Sequence, residues 1–543
     1  MTFQPKGLLS LPLEVLSPIC VDAARQVYLD AFEQARTKCL LQAHHIGSVP
    51  LYSDIACQRS RAFKGSLRLT CKQVNAAIER DMFHHLTLNL DRVRAASSPL
   101  REMLAAIASG LSPISIYVRE LLIEPPYCCA SHETVEATTA DSTHAQLVLT
   151  ALRQLRALRS FTWKFGAEYS KDGLNEAIAE ALGSLPHVET CRFLVTSRIV
   201  EFPTFPLFAN LRTLIFRSCP SRPTNPPTVL SSQLARIVAK CPKLEHLVVD
   251  IHDAPYRDEQ ILPTFRDILS ECSAQKPLAI QRLELTGVTV TLDEVTVPHM
   301  RSLKTLKSNF YGALRPPSAQ ADSIPFRDAD GLQNLELDRI DGGQNHLIPP
   351  SGLRRLALGW LHCQHDDDRL SDRFFSTVLP GHAETLESLS ILPQDAGVWC
   401  YNEKMILGIQ RCTKLRELAI SIGDKRNVEE DIDAILDAVS SLPHLNELRV
   451  SVALVSFLRI LEQDAPETVL MDRLIVRLRE FRRPAATSEK STPPHYPPCV
   501  CIGRKWHRLE VVEENGKELY RYSKVVVSEI DGFYSLRNNR STK

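Results

Sequence analysis

Four stretches of this chain end in nearly the same words: "SLPHVETCRF" from Ser184, "KCPKLEHLVV" from Lys240, "RCTKLRELAI" from Arg411 and "SLPHLNELRV" from Ser441. Each closes a helix-like stretch, turns at Pro or Thr, and then runs into Leu-x-x-Leu-x-Leu or a near variant. The same short phrase returns at Val118-Leu121-Ile123, Leu158-Phe161-Trp163, Leu211-Leu214-Phe216 and Ile280-Leu283-Leu285. It returns again at Leu303-Leu306 (with Ser308 in the third place), Leu332-Leu335-Leu337, Leu353-Leu356-Leu358 and Leu386-Leu389-Ile391. Successive central residues are spaced unevenly, by roughly 21 to 40 residues, a period that belongs to repeat architectures with a helix in each unit.

The spelling has a physical cause. A final Leu-x-Leu alternation is a strand with one face inward and one in solvent, and the first leucine packs where the chain runs into that strand. Between the phrases lie amphipathic helices. In "DGLNEAIAEALGSL", Leu174, Ile178, Ala181, Leu182 and Leu185 share one face, as do Val428, Ile432, Ile435, Leu436 and Val439 in "VEEDIDAILDAVSSL". One such unit cannot bury its own stripe, so neighbours must stack. The pattern resembles an irregular leucine-rich repeat solenoid. The expected fold is therefore α/β, a leucine-rich repeat horseshoe over residues 93–480, preceded by a small all-α domain over 1–92. Residues 481–498, "RRPAATSEKSTPPHYPP" among them, are expected as a Pro/Ser/Thr-rich linker. Beyond it, Asn515-Gly516 between two strand-like halves predicts a β-hairpin tail in 499–543.

The N-terminal region holds two further phrases, "LSLPLEVLSPI" and "LRLTCKQVNAAIERDMFHHLTL". In the first, Ser10 caps a helix whose first turn holds Pro12 and Glu14, and Pro18 ends or kinks it. In the second, Leu67, Cys71, Val74 and Ile78 step by three and four; after Phe83, Leu86, Leu88 and Leu90 alternate as a strand. Together the two phrases resemble an F-box, the helical motif that docks on the Skp-type adaptor of cullin–RING (SCF-type) ubiquitin ligases. The matching positions are Leu11, Pro12, Glu14, Val15, Leu16 and Ile19 in the first half. In the second they are Leu67, Leu69, Cys71, Lys72, Val74, Asn75 and Phe83. The resemblance implies that the apolar residues of both halves face the adaptor and that the repeats capture a protein to be ubiquitinated. Here, however, an insert at residues 22–65 separates the halves. The alternative it leaves open is a leucine-rich repeat interaction scaffold that no longer binds the adaptor.

Composition narrows the partners. The chain has 543 residues, too many for one ordinary core. Sixty-four basic residues balance 64 acidic ones, so nucleic acid is not expected as a partner. No long uncharged apolar run predicts a membrane span, and the apolar start, broken by Lys6 and Glu14, is a poor signal sequence. The 15 cysteines are scattered, as reduced thiols are. A cytoplasmic or nuclear location follows as an expectation. Neither a phosphate-binding glycine loop nor a Gly-x-Ser-x-Gly nucleophile motif occurs, so no enzyme activity and no cofactor are expected. "HCQHDDDR" from His362 and "HYPPCVCIGRKWH" from His495 gather possible metal ligands without the two ordered pairs of a structural zinc site. Both are read as loops, and no metal is expected.

The residues between the strand leucines line the face of the sheet opposite the core. Arg217, Asp250, Glu284, Lys307, Asp338, Arg355 and Trp360 are the expected target-binding set, with Trp360 the one large aromatic. Mixed signs there suit a protein partner.

Overall fold

The computed structural model describes residues 22–23, 26–27, 62, 83–90, 98–110, 112, 114–124, 140–165, 174–195, 208–218, 227–251, 263–288, 290, 293–309, 331–337, 352–359, 367–393, 396–423, 428–453, 465–484, 495–503 and 505–525. It divides into two compact units, Met1–Pro226 and Pro227–Lys543. The helices expected from the N-terminal phrases lie outside the described residues. Of the adaptor-facing set only Phe83 falls within them, half-buried in the turn that leads to the first strand.

The first unit is a parallel ladder in chain order: β1 (His85–Asn89), β2 (Glu120–Glu124), β3 (Ser160–Phe165), β4 (Thr190–Val195) and β5 (Thr213–Ser218). Helices α1 (Pro99–Ala108), α2 (Ala140–Arg153) and α3 (Leu174–Gly183) connect the first four strands. Ser98 caps α1, its Oγ accepting from the Leu100 N–H at 3.3 Å, and Pro99 opens the helix where its missing donor costs nothing. Register puts like on like. Leu86, Leu121, Phe161, Cys191 and Leu214 form one buried row, and Leu88, Ile123, Trp163, Phe193 and Phe216 a second. The aromatic members pack together, with the Phe161 ring 6.0 Å from Phe193 and 5.5 Å from Phe208.

The second unit continues the same grammar. After α4 (Pro227–Lys240) come β6 (His246–Ile251), β7 (Arg282–Thr286), β8 (Thr305–Asn309), β9 (Asn334–Leu337), β10 (Arg355–Gly359), β11 (Ser388–Leu392), β12 (Glu417–Gly423) and β13 (Glu447–Ala453), all parallel to their neighbours. The leucines of each phrase are buried, and Ser308, in a leucine's place on β8, is buried as well. Helix α5 (Asp367–Arg373) runs into a π turn, Phe374–Val378, so the "HCQHDDDR" stretch expected as a loop already begins a helix at Asp367. The π turn lets two consecutive aromatics, Phe374 and Phe375, both face inward against the buried Trp399. Helices α6 (Glu403–Ile409) and α7 (Val428–Val439) follow, and all five apolar residues expected on the inner face of α7 are buried.

One backbone feature recurs at the start of nearly every strand. Two successive N–H groups converge on a single carbonyl of the repeat before: Arg119 and Glu120 on His84 O, Arg159 and Ser160 on Arg119 O, and Arg354 and Arg355 on Gln333 O at 2.7 and 2.9 Å. Glu387 and Ser388 on Arg354 O, and Asn446 and Glu447 on Arg416 O, repeat it. Where β7 ends, Gly287 holds φ +67, and a Cβ there would stand 2.2 Å from the Ile251 carbonyl oxygen, so no other residue fits.

The array ends in a cap. Helix α8 (Ala465–Glu480) lies against α7, joined by Arg473–Glu429, Arg477–Asp433 and, just past its end, Arg483–Asp437; the three carboxylates are spaced four residues apart along one face. The short β14 (Arg483–Pro484), β15 (Cys499–Ile502), β16 (Lys505–Glu514) and β17 (Lys517–Lys524) complete the unit. β15 runs parallel to β13, while β16 and β17 turn back antiparallel around Asn515-Gly516, whose φ values of 54° and 71° are those a two-residue hairpin turn requires. The stretch expected as a loop at 495–507 is thus largely strand. The two ends of the expected linker also pack in this unit, the Phe481 ring lying 5.1 Å from Tyr496. The Pro498 carbonyl accepts the Leu509 N–H at 2.9 Å.

Inward and outward strand positions should differ sharply under substitution. Leu356→Ala is expected to cost about 2–5 kcal/mol, and Arg355→Ala beside it less than about 0.5 kcal/mol; urea unfolding of the two variants measures the contrast.

Candidate functional site

Strand alternation that buries the leucines sets their neighbours on the opposite face, in rows about 4.8 Å apart from strand to strand. In the second unit one row carries Glu284, Lys307 and Glu336, then the small residues Ala357, Ser390 and Ala419, then Arg449. The charges are matched. Arg282 Nε donates to Glu284 Oε1 at 2.6 Å, Lys307 Nζ to Glu336 Oε1 at 2.6 Å, and Arg449 Nε to Glu447 Oε1 at 2.5 Å. Hydroxyls stitch the strands between: Ser388 donates to Glu417 at 3.2 Å, and the Ser421 and Ser451 oxygens lie 2.6 Å apart. The result is a firm face of mixed polarity rather than a cleft with a reactive group.

Of the expected target-binding residues, Asp250, Glu284, Lys307 and Arg355 stand on this outward face, with Glu284 and Lys307 direct neighbours across β7 and β8. Arg217 occupies the corresponding face of the first unit, exposed on β5. Asp338 and Trp360 lie outside the described residues. An aromatic that the sequence did not mark takes part instead. Trp506, on β16, lies under the Arg449 guanidinium with Cζ 5.4 Å from the ring centroid, a cation–π contact that holds one arginine in place. The Asn-Gly turn signalled the hairpin in sequence, but which strand it joins depends on distant packing.

The group of His495, Cys499, Cys501 and His507 does not converge. Cys499 and Cys501 pair with Arg508 and Trp506, whereas His507 pairs with Val500 and so points to the other face of the sheet. Burial pushes the Cys501 thiol up to about 11 and raises Cys499, and it pushes Cys412 up to about 12, so these are protonated thiols at neutral pH. Among the described residues, the side chains that come together with metal-binding capacity are His84, His85 and Glu120, their ligand atoms within 4.8 Å of one another. They lie at the starts of β1 and β2, and His85 Nδ1 is 2.8 Å from Glu120 Oε2 in largely solvated surroundings. Among the described residues no helix is long and apolar enough to cross a membrane.

No protein-family model matches the sequence, and no curated protein matches it. A weak structural neighbour is the solved structure described as "Crystal structure of Rad7 and Elc1 complex in yeast", with 11% identity over 84% of this chain and 94% of that one, at a TM-score of 0.29. A superposition this loose bears on neither fold nor partner.

His507 generates a pH prediction. Its side chain is fully buried, and burial together with Arg479 pushes its pKa from 6.5 down to about 4. The unfolded chain binds this proton below pH 6.5 and the folded one does not. Stability is therefore complete above that pH and is lost as pH falls toward 4, by about 3 kcal/mol in all. His507→Gln should flatten that part of the profile, seen as a shrinking stability difference between the two proteins on acidification.

Proposed function

We propose that this chain is a non-enzymatic substrate receptor of an SCF-type ubiquitin ligase. The F-box-like phrases would hold a Skp-type adaptor, and through it cullin, by apolar helix docking at Leu11, Pro12, Leu16, Leu67 and Val74. The outward sheet face would hold the target. The observation that carries the reading is that face: parallel strands in strict register, several charges already neutralised in pairs, and an arginine anchored over a tryptophan. Paired charges select a partner by complementarity while leaving little uncompensated charge to desolvate. The receptor would accelerate ubiquitin transfer by raising effective concentration, with no residue of its own in the chemistry. Such work belongs in the cytoplasm or nucleus. The insert at residues 22–65 favours one alternative, a scaffold that keeps the repeats and has lost the adaptor.

Co-purification with a Skp-type adaptor separates the two. A one-to-one complex that Leu11→Ala/Pro12→Ala weakens by at least about tenfold supports the receptor. Failure of the intact chain to bind leaves the scaffold.

A further inference from the structure

Unit 1 contains a cleft that breaks the pairing rule followed on the sheet face of unit 2. It has a volume of about 560 Å³ and lies where the helix-to-strand turns of successive repeats meet. Arg119 and Arg159 immediately precede β2 and β3, Arg156 sits in the turn after α2, and His187 occupies the turn before β4. Arg119 is positioned by donating to the Ala157 carbonyl at 2.9 Å. The side chains of Arg156 and Arg159 are exposed and have no hydrogen-bond or ion-pair partner among the described residues. No carboxylate is among the described residues that line the cleft. Beside these cations Ile116 is 60% exposed.

We propose that this cleft docks an acidic peptide segment of a partner protein, with carboxylates on the arginines and an apolar side chain against Ile116. Three guanidiniums lining one cleft, with no carboxylate among its described lining residues, make it electropositive, and a ligand bearing carboxylates offsets that charge. Planar guanidinium donors match carboxylates two bonds at a time. A nucleic acid fits less well: among the described residues no Phe, Tyr or Trp lines the cleft to stack a base, and the exposed apolar residue has no use there. Docking in unit 1 is independent of the adaptor phrases, so it holds or fails separately from the ligase reading.

The test uses the full chain and a labelled twelve-residue peptide of Glu and Asp with one central Leu, read by fluorescence anisotropy. Binding should weaken with added salt. It should fall at least about tenfold in Arg156→Glu/Arg159→Glu and severalfold in the milder Arg156→Gln/Arg159→Gln. It should fall in Ile116→Asp as well. Lys517→Glu/Arg521→Glu, a matched charge change on the exposed hairpin, should leave it unchanged. Thermal melts of all variants confirm that each is folded. The proposal is overturned if the peptide fails to bind, if the hairpin variant loses as much as the cleft variant, or if a single-stranded oligonucleotide of equal length binds more tightly.

Discussion

Within each unit nearly every repeat is tied to the last by a pair of N–H groups aimed at one carbonyl, and the order of both units depends on that knot. The backbone must pass through a tight point before each strand, and only there does the new repeat learn its register. Once Lys304 and Thr305 are bound to Gln281 O, Leu306 must fall opposite Leu283, because a strand with period two leaves no other choice. The long and unequal connections between strands therefore cause no drift in the ladder. Every strand is referenced to its neighbour rather than to its distance along the chain, which is how spacings from roughly 21 to 40 residues coexist with one unbroken alignment within each unit.

The side chains then divide the labour. Inward positions supply burial, which dominates stability in an array whose repeats touch only adjacent repeats. Phe161, Phe193 and Phe208 in the first unit, and Phe374, Phe375 and Trp399 in the second, fill places where a leucine alone would leave space. Outward positions contribute little to stability, since solvated ion pairs are individually weak. Their value lies in shape and sign. On the second unit's face most of the charges cancel locally, while in the first unit's cleft they do not, and the two surfaces consequently suit different partners.

Much of the ladder was legible because hydrophobic period is a direct image of burial. The stripe of α7 reads off the sequence residue by residue, and Leu86 and Leu88 announce β1. Four features were not legible. The π turn at Phe374 has no local spelling that separates it from an ordinary helix. His299 and His382 do a backbone's work: fully buried, their Nδ1 atoms accept the Leu278 and Leu353 N–H groups, an interaction between residues 21 and 29 positions apart that no short motif encodes. The strand at Cys499–Ile502 hid behind a proline-rich stretch because its pairing partner, β13, supplies the order that its own composition lacks. On the sheet face, Arg449 was visible as an alternating residue, but Trp506 beneath it arrives from a hairpin more than fifty residues later.

The final parallel strand carries its own stop signal. Register places Pro498 where Asn446 stands on β13, and a proline has no N–H to join the converging pair that begins other strands. The motif that builds the array is chemically impossible at that step, and the Pro498 carbonyl is instead taken by Leu509 on the returning hairpin. A stack of parallel strands is in principle an open polymer whose exposed end invites another chain to add itself. Here that end is reversed in direction and folded over by two antiparallel strands, and the short β14, which includes Pro484, pairs with the last of them at Leu519 and Tyr520. The second unit is thus a fibre-like architecture of fixed count, in which growth at its C-terminal end is terminated by covalent chemistry rather than by the presence of a partner.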